Sequence, residues 1–213
     1  MKKDEKLPIT LCVITCNSED RIKDMILKNK EVVSEVLVVV QESKDDTAAR
    51  AREAGAVVIE RRRKGTSDPD RNWLFALANT PWVLYLDDDE YISPELKENI
   101  ESLIKENVDI YWLKRTNLVD GVDIFKILGH DMQPRLFRKG ALNFPDQIHT
   151  YPSPASEAMP AFVEYPIIHE RTLEQVKKGN RVRNNGADPR MIEMQEKFIM
   201  NVEALLDEVG NAV

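Results

Sequence analysis

Apolar positions arrive in short unbroken runs along the first half of the chain, each followed by a polar turn and then by apolar residues at helical spacing. Residues 9–15 form the first run, and Asn17-Ser18-Glu19-Asp20 supplies turn and capping side chains before a helical pattern over 21–29. Val36-Leu37-Val38-Val39-Val40 repeats the arrangement, followed by Ser43-Lys44-Asp45-Asp46-Thr47 and an Ala-rich helical stretch over 48–54 that closes at Gly55. Residues 56–59 read as a third strand, 70–79 as a helix behind Asp68-Pro69, and 82–86 as a fourth strand. Runs of this length without polar alternation mark strands covered on both faces. Strands alternating with helices imply an α/β fold with a doubly wound, mostly parallel, Rossmann-like sheet.

The second half follows a weaker pattern. Leu96, Ile100, Leu103 and Ile104 give a helix over 94–106, and 109–113 reads as a strand. Asp120-Gly121 marks a turn, 134–138 a strand, and Lys139-Gly140 another turn. Four prolines between 145 and 160 leave little periodicity, so that stretch is expected to be an irregular excursion or lid. A strand over 161–168 ends at His169-Glu170, and helices over 173–184 and 189–209 flank Asn185-Gly186-Ala187-Asp188. The expected organisation is an α/β half over 1–116, loops and strands of the same domain over 117–170, and C-terminal helices over 171–213.

The fourth strand changes the picture, because it ends in Asp87-Asp88-Asp89-Glu90. Carboxylates packed together at a buried strand end repel one another and lose hydration, so a cation is expected to neutralise them. Oxygen-only ligands suit Mg2+ or Mn2+ better than zinc, which recruits His or Cys. The alternative is a solvated acidic turn before a helix, with Ser93 or Asp89 as N-cap and Pro94 at the first helical position. In a parallel sheet, ligands sit beyond the carboxyl ends of the strands. The acids, the Thr15-Cys16-Asn17 loop and the Gln41-Glu42-Ser43 loop all fall at that edge.

Composition bounds the rest. A length of 213 residues, 42% apolar, supports a sizeable core, and a net charge of -7 argues against a nucleic-acid-binding surface. Cys12 and Cys16 lie about 13 Å apart on one extended strand and cannot bond to each other there. No apolar run approaches the ~20 residues needed to cross a bilayer, and the charged start lacks a signal-type core, so a cytoplasmic setting is expected. The last helix has an apolar face through Phe198, Val202, Leu205 and Val209 that could cap the domain or cover a second copy as a homodimer. Peripheral membrane contact ranks below packing, because Glu193, Glu196, Glu203, Asp207 and Glu208 would be repelled by anionic lipid.

Residues 11–19, Ser43-Lys44-Asp45-Asp46-Thr47, residues 70–77 and residues 82–90, in that order, resemble the motifs of family 2 glycosyltransferases. Pro134-Arg135-Leu136-Phe137-Arg138-Lys139-Gly140 and the following His149 are similar to the small branch that includes lipopolysaccharide-core glucosyltransferases. The resemblance covers residues 9–185. It implies a GT-A fold, a nucleotide-sugar donor, a glycan or glycoconjugate acceptor, and Mn2+ or Mg2+ as cofactor. Asp87 and Asp89 match the family's DxD motif, with Asp89 as first metal ligand and Asp87 or Asp88 nearer the ribose; His149 is a further metal-ligand candidate. Thr15, Asn17, Glu19, Gln41, Lys64 and Arg71 are the remaining nucleotide-sugar-binding candidates, Lys64 from the basic run that starts at Arg61. The implied reaction is inverting hexosyl transfer, with a UDP-sugar favoured.

Two departures bear on what the resemblance implies. Gln41-Glu42 stands where the family usually has a nucleotide-binding Asp, although the Gln41 amide can still hydrogen-bond a pyrimidine. Ile148-His149-Thr150 stands where the branch has Val-His-Glu, so Asp131, Asp146 and Glu170 are the candidate catalytic bases, Asp131 first. A nucleotidyltransferase would use similar acids but would show a Gly-rich phosphate loop, and Thr15-Cys16-Asn17-Ser18-Glu19 has no Gly. A non-catalytic sugar-binding protein on a degenerate GT-A fold is the other alternative.

Overall fold

A computed structural model describes residues 6–63, 68–145, 151–184 and 189–211. In chain order the elements are β1 (Leu7–Thr15), α1 (Ile22–Asn29), β2 (Val33–Gln41), α2 (Thr47–Glu53), β3 (Val57–Arg61), α3 (Arg71–Leu77), β4 (Trp82–Tyr85) and β5 (Glu90–Ile92). Then follow α4 (Pro94–Leu103), β6 (Ile110–Val119), β7 (Val122–Asp123), α5 (Phe125–Leu128), β8 (Met132–Arg138), β9 (Leu142–Asn143), β10 (Ser153–Pro154), β11 (Pro160–Arg171), α6 (Leu173–Asn184) and α7 (Pro189–Gly210).

The apolar runs become strands because both of their faces are covered. Ile9, Leu11 and Val13 of β1 join a core with Ile22, Met25 and Ile26 of α1 and Leu96, Ile100 and Leu103 of α4. The alternate residues Cys12 and Ile14 face a second core that holds Leu74 and Phe75 of α3 and Phe137 of β8. Side chains two apart along a strand share a face, so one uninterrupted run feeds two cores. Cys12 and Cys16 are both free thiols.

Among the described residues the main sheet has the order β3-β2-β1-β4-β8-β6-β11-β5, with β7 paired to β6. Strands β3, β2, β1 and β4 run parallel, whereas β8 is antiparallel to both β4 and β6. The fold is therefore α/β with a parallel half that carries β1 to β4 and an antiparallel continuation. Ser93 caps α4 by accepting the Leu96 N–H at 3.0 Å. Of the two cap candidates in the sequence it is Ser93 that serves; Asp89 precedes the short strand β5 instead.

The chain divides into two compact units, Met1–Lys114 with Met132–Ile167, and Arg115–Asp131 with Ile168–Val213. In the second, Val119, Ile124, Val176 and Val202 form a small core, and Phe198, Ile199, Leu205 and Leu206 of α7 pack against it. The middle of the last helix's apolar face is thus packed within its own unit, while Val209 stays 40% exposed. No helix among the described residues is long and apolar enough to cross a membrane.

One acid outside the site gives the fold a pH dependence. Burial works to raise the Glu35 carboxyl, but the Asn79 N–H, the Thr10 hydroxyl and the Asn79 side-chain amide outweigh it and hold it below the ordinary glutamate value. A depressed folded-state value stabilises the protein above the unfolded-state value and loses that contribution as pH falls through the folded one. Thermal melts taken down from neutral pH should therefore show a steeper acid loss than those of Glu35→Gln.

Candidate active site

The acid turn sits where the parallel half of the sheet ends. The Leu86 N–H still bonds to the Cys12 carbonyl at 3.2 Å, after which the chain reverses, the Glu90 N–H donating to the Asp87 carbonyl at 3.1 Å. The Glu90 side chain folds back and accepts the Asp87 N–H at 3.0 Å. Glu90 is fully buried. Arg135 reaches it from β8, its Nη2 lying 2.7 Å from Glu90 Oε1 and 2.6 Å from Asp87 Oδ2. The guanidinium side chain is 6% exposed, that of Asp87 41%. Burial works against the Arg135 charge, but Asp87 and Glu90 overcome it and raise its value above that of a free arginine.

Asp88 points a different way. It accepts from Thr15 Oγ1 at 2.5 Å, from the Ser18 hydroxyl and from Arg21 Nε at 3.2 Å. Burial pushes this carboxyl above the ordinary aspartate value, with Arg21 and the two hydroxyls opposing the push. Arginines therefore supply part of the neutralising charge that the sequence assigned to a metal: Arg135 for Asp87 and Glu90, Arg21 for Asp88. Protein cations thus stand beside Asp87, Asp88 and Glu90, and the Arg21 charge acts on Asp89 as well.

The neighbouring loops are laced to each other. Asn17, in the left-handed region at φ 53, takes Ser43 Oγ on its N–H at 2.9 Å and accepts the Lys44 N–H on Oδ1 at 2.8 Å. Glu19 donates its N–H to Asp45 at 3.2 Å and accepts the Asp46 N–H at 2.9 Å. These two side chains hold the β2–α2 loop against the β1–α1 loop, and Thr15 ties the same region to the acid turn. Gln41 ends β2 almost buried, with its amide nitrogen 2.8 Å from Asp70 Oδ2. Arg71 donates to the Tyr85 hydroxyl at 3.1 Å and lies 5.1 Å from the Phe144 ring centroid. Burial, with Asp87 nearby, pushes the Tyr85 phenol up to about 12, so it stays protonated.

Residues 10–172 match glycosyl transferase family 2. The chain belongs to that family. An uncharacterized glycosyltransferase of Rickettsia felis is 34% identical over 130 residues, 61% of this chain and 44% of that protein. One of Rickettsia conorii is 32% identical over 138 residues, 64% of this chain and 46% of that protein. The chain thus spans less than half the length of these relatives. The solved structure of S. aureus TarS 1–349 superposes with a TM-score of 0.56 at 17% identity, covering 91% of this chain and 69% of that one, which shows a shared fold. The architecture is GT-A.

In this family 2 glycosyltransferase, the candidate bases that the structure describes belong to the second unit. Asp131 Oδ2 lies 2.7 Å from Arg115 Nε and 3.0 Å from Asn117 Nδ2. Asn117 Oδ1 lies 2.7 Å from His169 Nδ1. Glu170 is exposed. Asp146, His149 and Lys64 lie outside the described residues. Among those described, no group of three or more His, Cys, Asp or Glu side chains is arranged to hold a metal. Asp87 and Asp89 remain an oxygen-only pair on one partly exposed turn, which fits a hard cation whose other positions are filled by substrate oxygens. It does not fit a closed protein cage. Arg135, Arg21 and Ser18 are the site residues to which the sequence argument gave no role; the signal was the unbalanced charge of the acid run itself.

Proposed function

We propose that this chain is a metal-dependent, inverting hexosyltransferase that moves a sugar from a nucleoside-diphosphate donor, a UDP-sugar, to a hydroxyl of a glycan or glycoconjugate. The observation that carries the reading is the Asp87–Glu90 turn at the carboxyl end of β4 in a family 2 chain. Ligands of open α/β sheets collect at that edge. Asp89 and Asp87 would hold Mn2+ or Mg2+, which supplies positive charge against the departing diphosphate. Arg135 pairs with Asp87 and holds its carboxylate in place, and Arg71 adds positive charge on the same sheet edge. Arg135, in the Pro134–Gly140 segment, braces the turn through Asp87 and Glu90.

For the proton of the acceptor hydroxyl, Asp131 is the favoured base. Arg115 and Asn117 both hydrogen-bond its Oδ2 and fix where the carboxylate points. Isothermal calorimetry and a screen of nucleotide sugars for slow hydrolysis test the reading. UDP and UDP-sugar should bind, and UDP-sugar should be hydrolysed, only with Mn2+ or Mg2+ present. Equal binding after chelation would remove the proposed role of the acids.

A further inference from the structure

The end of β2 departs from what the family resemblance implies, and the residues around it show how the departure is accommodated. Gln41 is 2% exposed and Asp70 is 1% exposed, so their hydrogen bond from Gln41 Nε2 to Asp70 Oδ2 at 2.8 Å is sealed from water. Arg61, paired in register with Gln41 across β2 and β3, brings Nη2 to 3.4 Å from Asp70 Oδ1. That contact is an ion pair without hydrogen-bond geometry, since Oδ1 is buried and accepts no bond. The Arg61 guanidinium is itself held over the Trp73 ring, 3.8 Å from its centroid. Trp73 is 37% exposed.

An ionised carboxylate only accepts hydrogen bonds, so a buried Asp70 beside Arg61 dictates which end of the Gln41 amide faces it. Nε2 must point inward. Oε1 is then the outward atom; it accepts no protein hydrogen bond among the described residues, and it is not among the buried unpartnered atoms. We infer that Asp70 is a positioning residue that locks the Gln41 amide with its carbonyl outward, so that the donor site selects a nucleobase with a ring N–H, uracil above cytosine. The inference rests on the donor-site reading given above. Uracil presents N3–H to such an acceptor, whereas cytosine presents a bare N3 whose lone pair would face another lone pair. A site built for one hydrogen bond discriminates strongly against an analogue that leaves a buried group unpaired.

Calorimetry with UDP, CDP, GDP and N3-methyl-UDP, each with Mn2+, tests this. UDP should bind about tenfold or more tightly than CDP, and N3-methylation should cost a similar factor. Asp70→Asn offers a donor as well as an acceptor, so the Gln41 amide can turn over, and the UDP-to-CDP ratio should fall toward one. A merely structural Asp70 would weaken every nucleotide alike and leave the ratio standing. Equal affinities for UDP and CDP in the unaltered protein, or an unchanged ratio in folded Asp70→Asn, overturns the inference and leaves the donor-site reading intact. Binding of none of the four overturns both. Should Asp70→Asn fail to fold, unaltered affinity for N3-methyl-UDP overturns the inference on its own.

Discussion

Arg135→Met is expected to destabilise the protein by about 3–5 kcal/mol, measured by denaturant titration, because it leaves an uncompensated carboxylate in the interior. Glu90 has no exposed surface and Arg135 almost none, so water cannot replace the lost partner. The same substitution releases Asp87 and weakens the closure of the 87–90 turn. Charge, rather than volume, should dominate the loss, since methionine fills much of the space of the arginine stem. The double variant Arg135→Met with Glu90→Gln should therefore recover more than half of it. Glutamine is neutral and keeps an oxygen for the Asp87 N–H. A single-variant cost below about 1 kcal/mol would mean that the buried pair does not hold the turn in place.

That pair also marks where sequence reasoning stops. Strands β1, β2 and β4 of the parallel half are legible from their apolar runs, as in Val36 to Val40, every residue of which is buried. β6 runs well past the strand over 109–113 that the apolar run predicts: after Leu113 come Lys114, Arg115, Thr116 and Asn117, and a strand whose residues turn polar as it enters a second compact unit loses its periodic signal. β5 was hidden because Glu90 starts it and reads as the last of the acids. In the site, residue types at strand ends were readable, so Asn17, Glu19 and Gln41 could be placed at the correct sheet edge. Their partners were not. Asn17 and Glu19 spend their hydrogen bonds on the loop around residues 43–46, and Asp88 is held by Ser18, 70 positions away. Long-range ion pairs such as Arg135 with Asp87 have no local pattern; only the excess of charge at 87–90 announced that a counter-charge had to exist.

Asp89→Ala should separate folding from chemistry. Asp89 shares a turn with Asp87, Asp88 and Glu90, and its negative charge bears unfavourably on Asp88. Removing it relieves that repulsion and forgoes its attraction to Arg21, so without metal the variant should melt close to the temperature of the unaltered protein. Functional sites commonly hold such mutually repelling groups at a cost in stability. With Mn2+ and a UDP-sugar, metal-dependent hydrolysis should fall by about a hundredfold or more, because substitutions in the outer shell of metal sites already cost about 10–100-fold. The midpoint for Mn2+ in the nucleotide-binding titration should move to higher concentration in parallel. Asp89→Asn should behave like Asp89→Ala in hydrolysis, because an amide keeps the shape and loses the charge that a hard divalent ion requires. Retained hydrolysis in both variants would take Asp89 out of the metal site and leave Asp87, already braced by Arg135, as the acid on which donor binding depends.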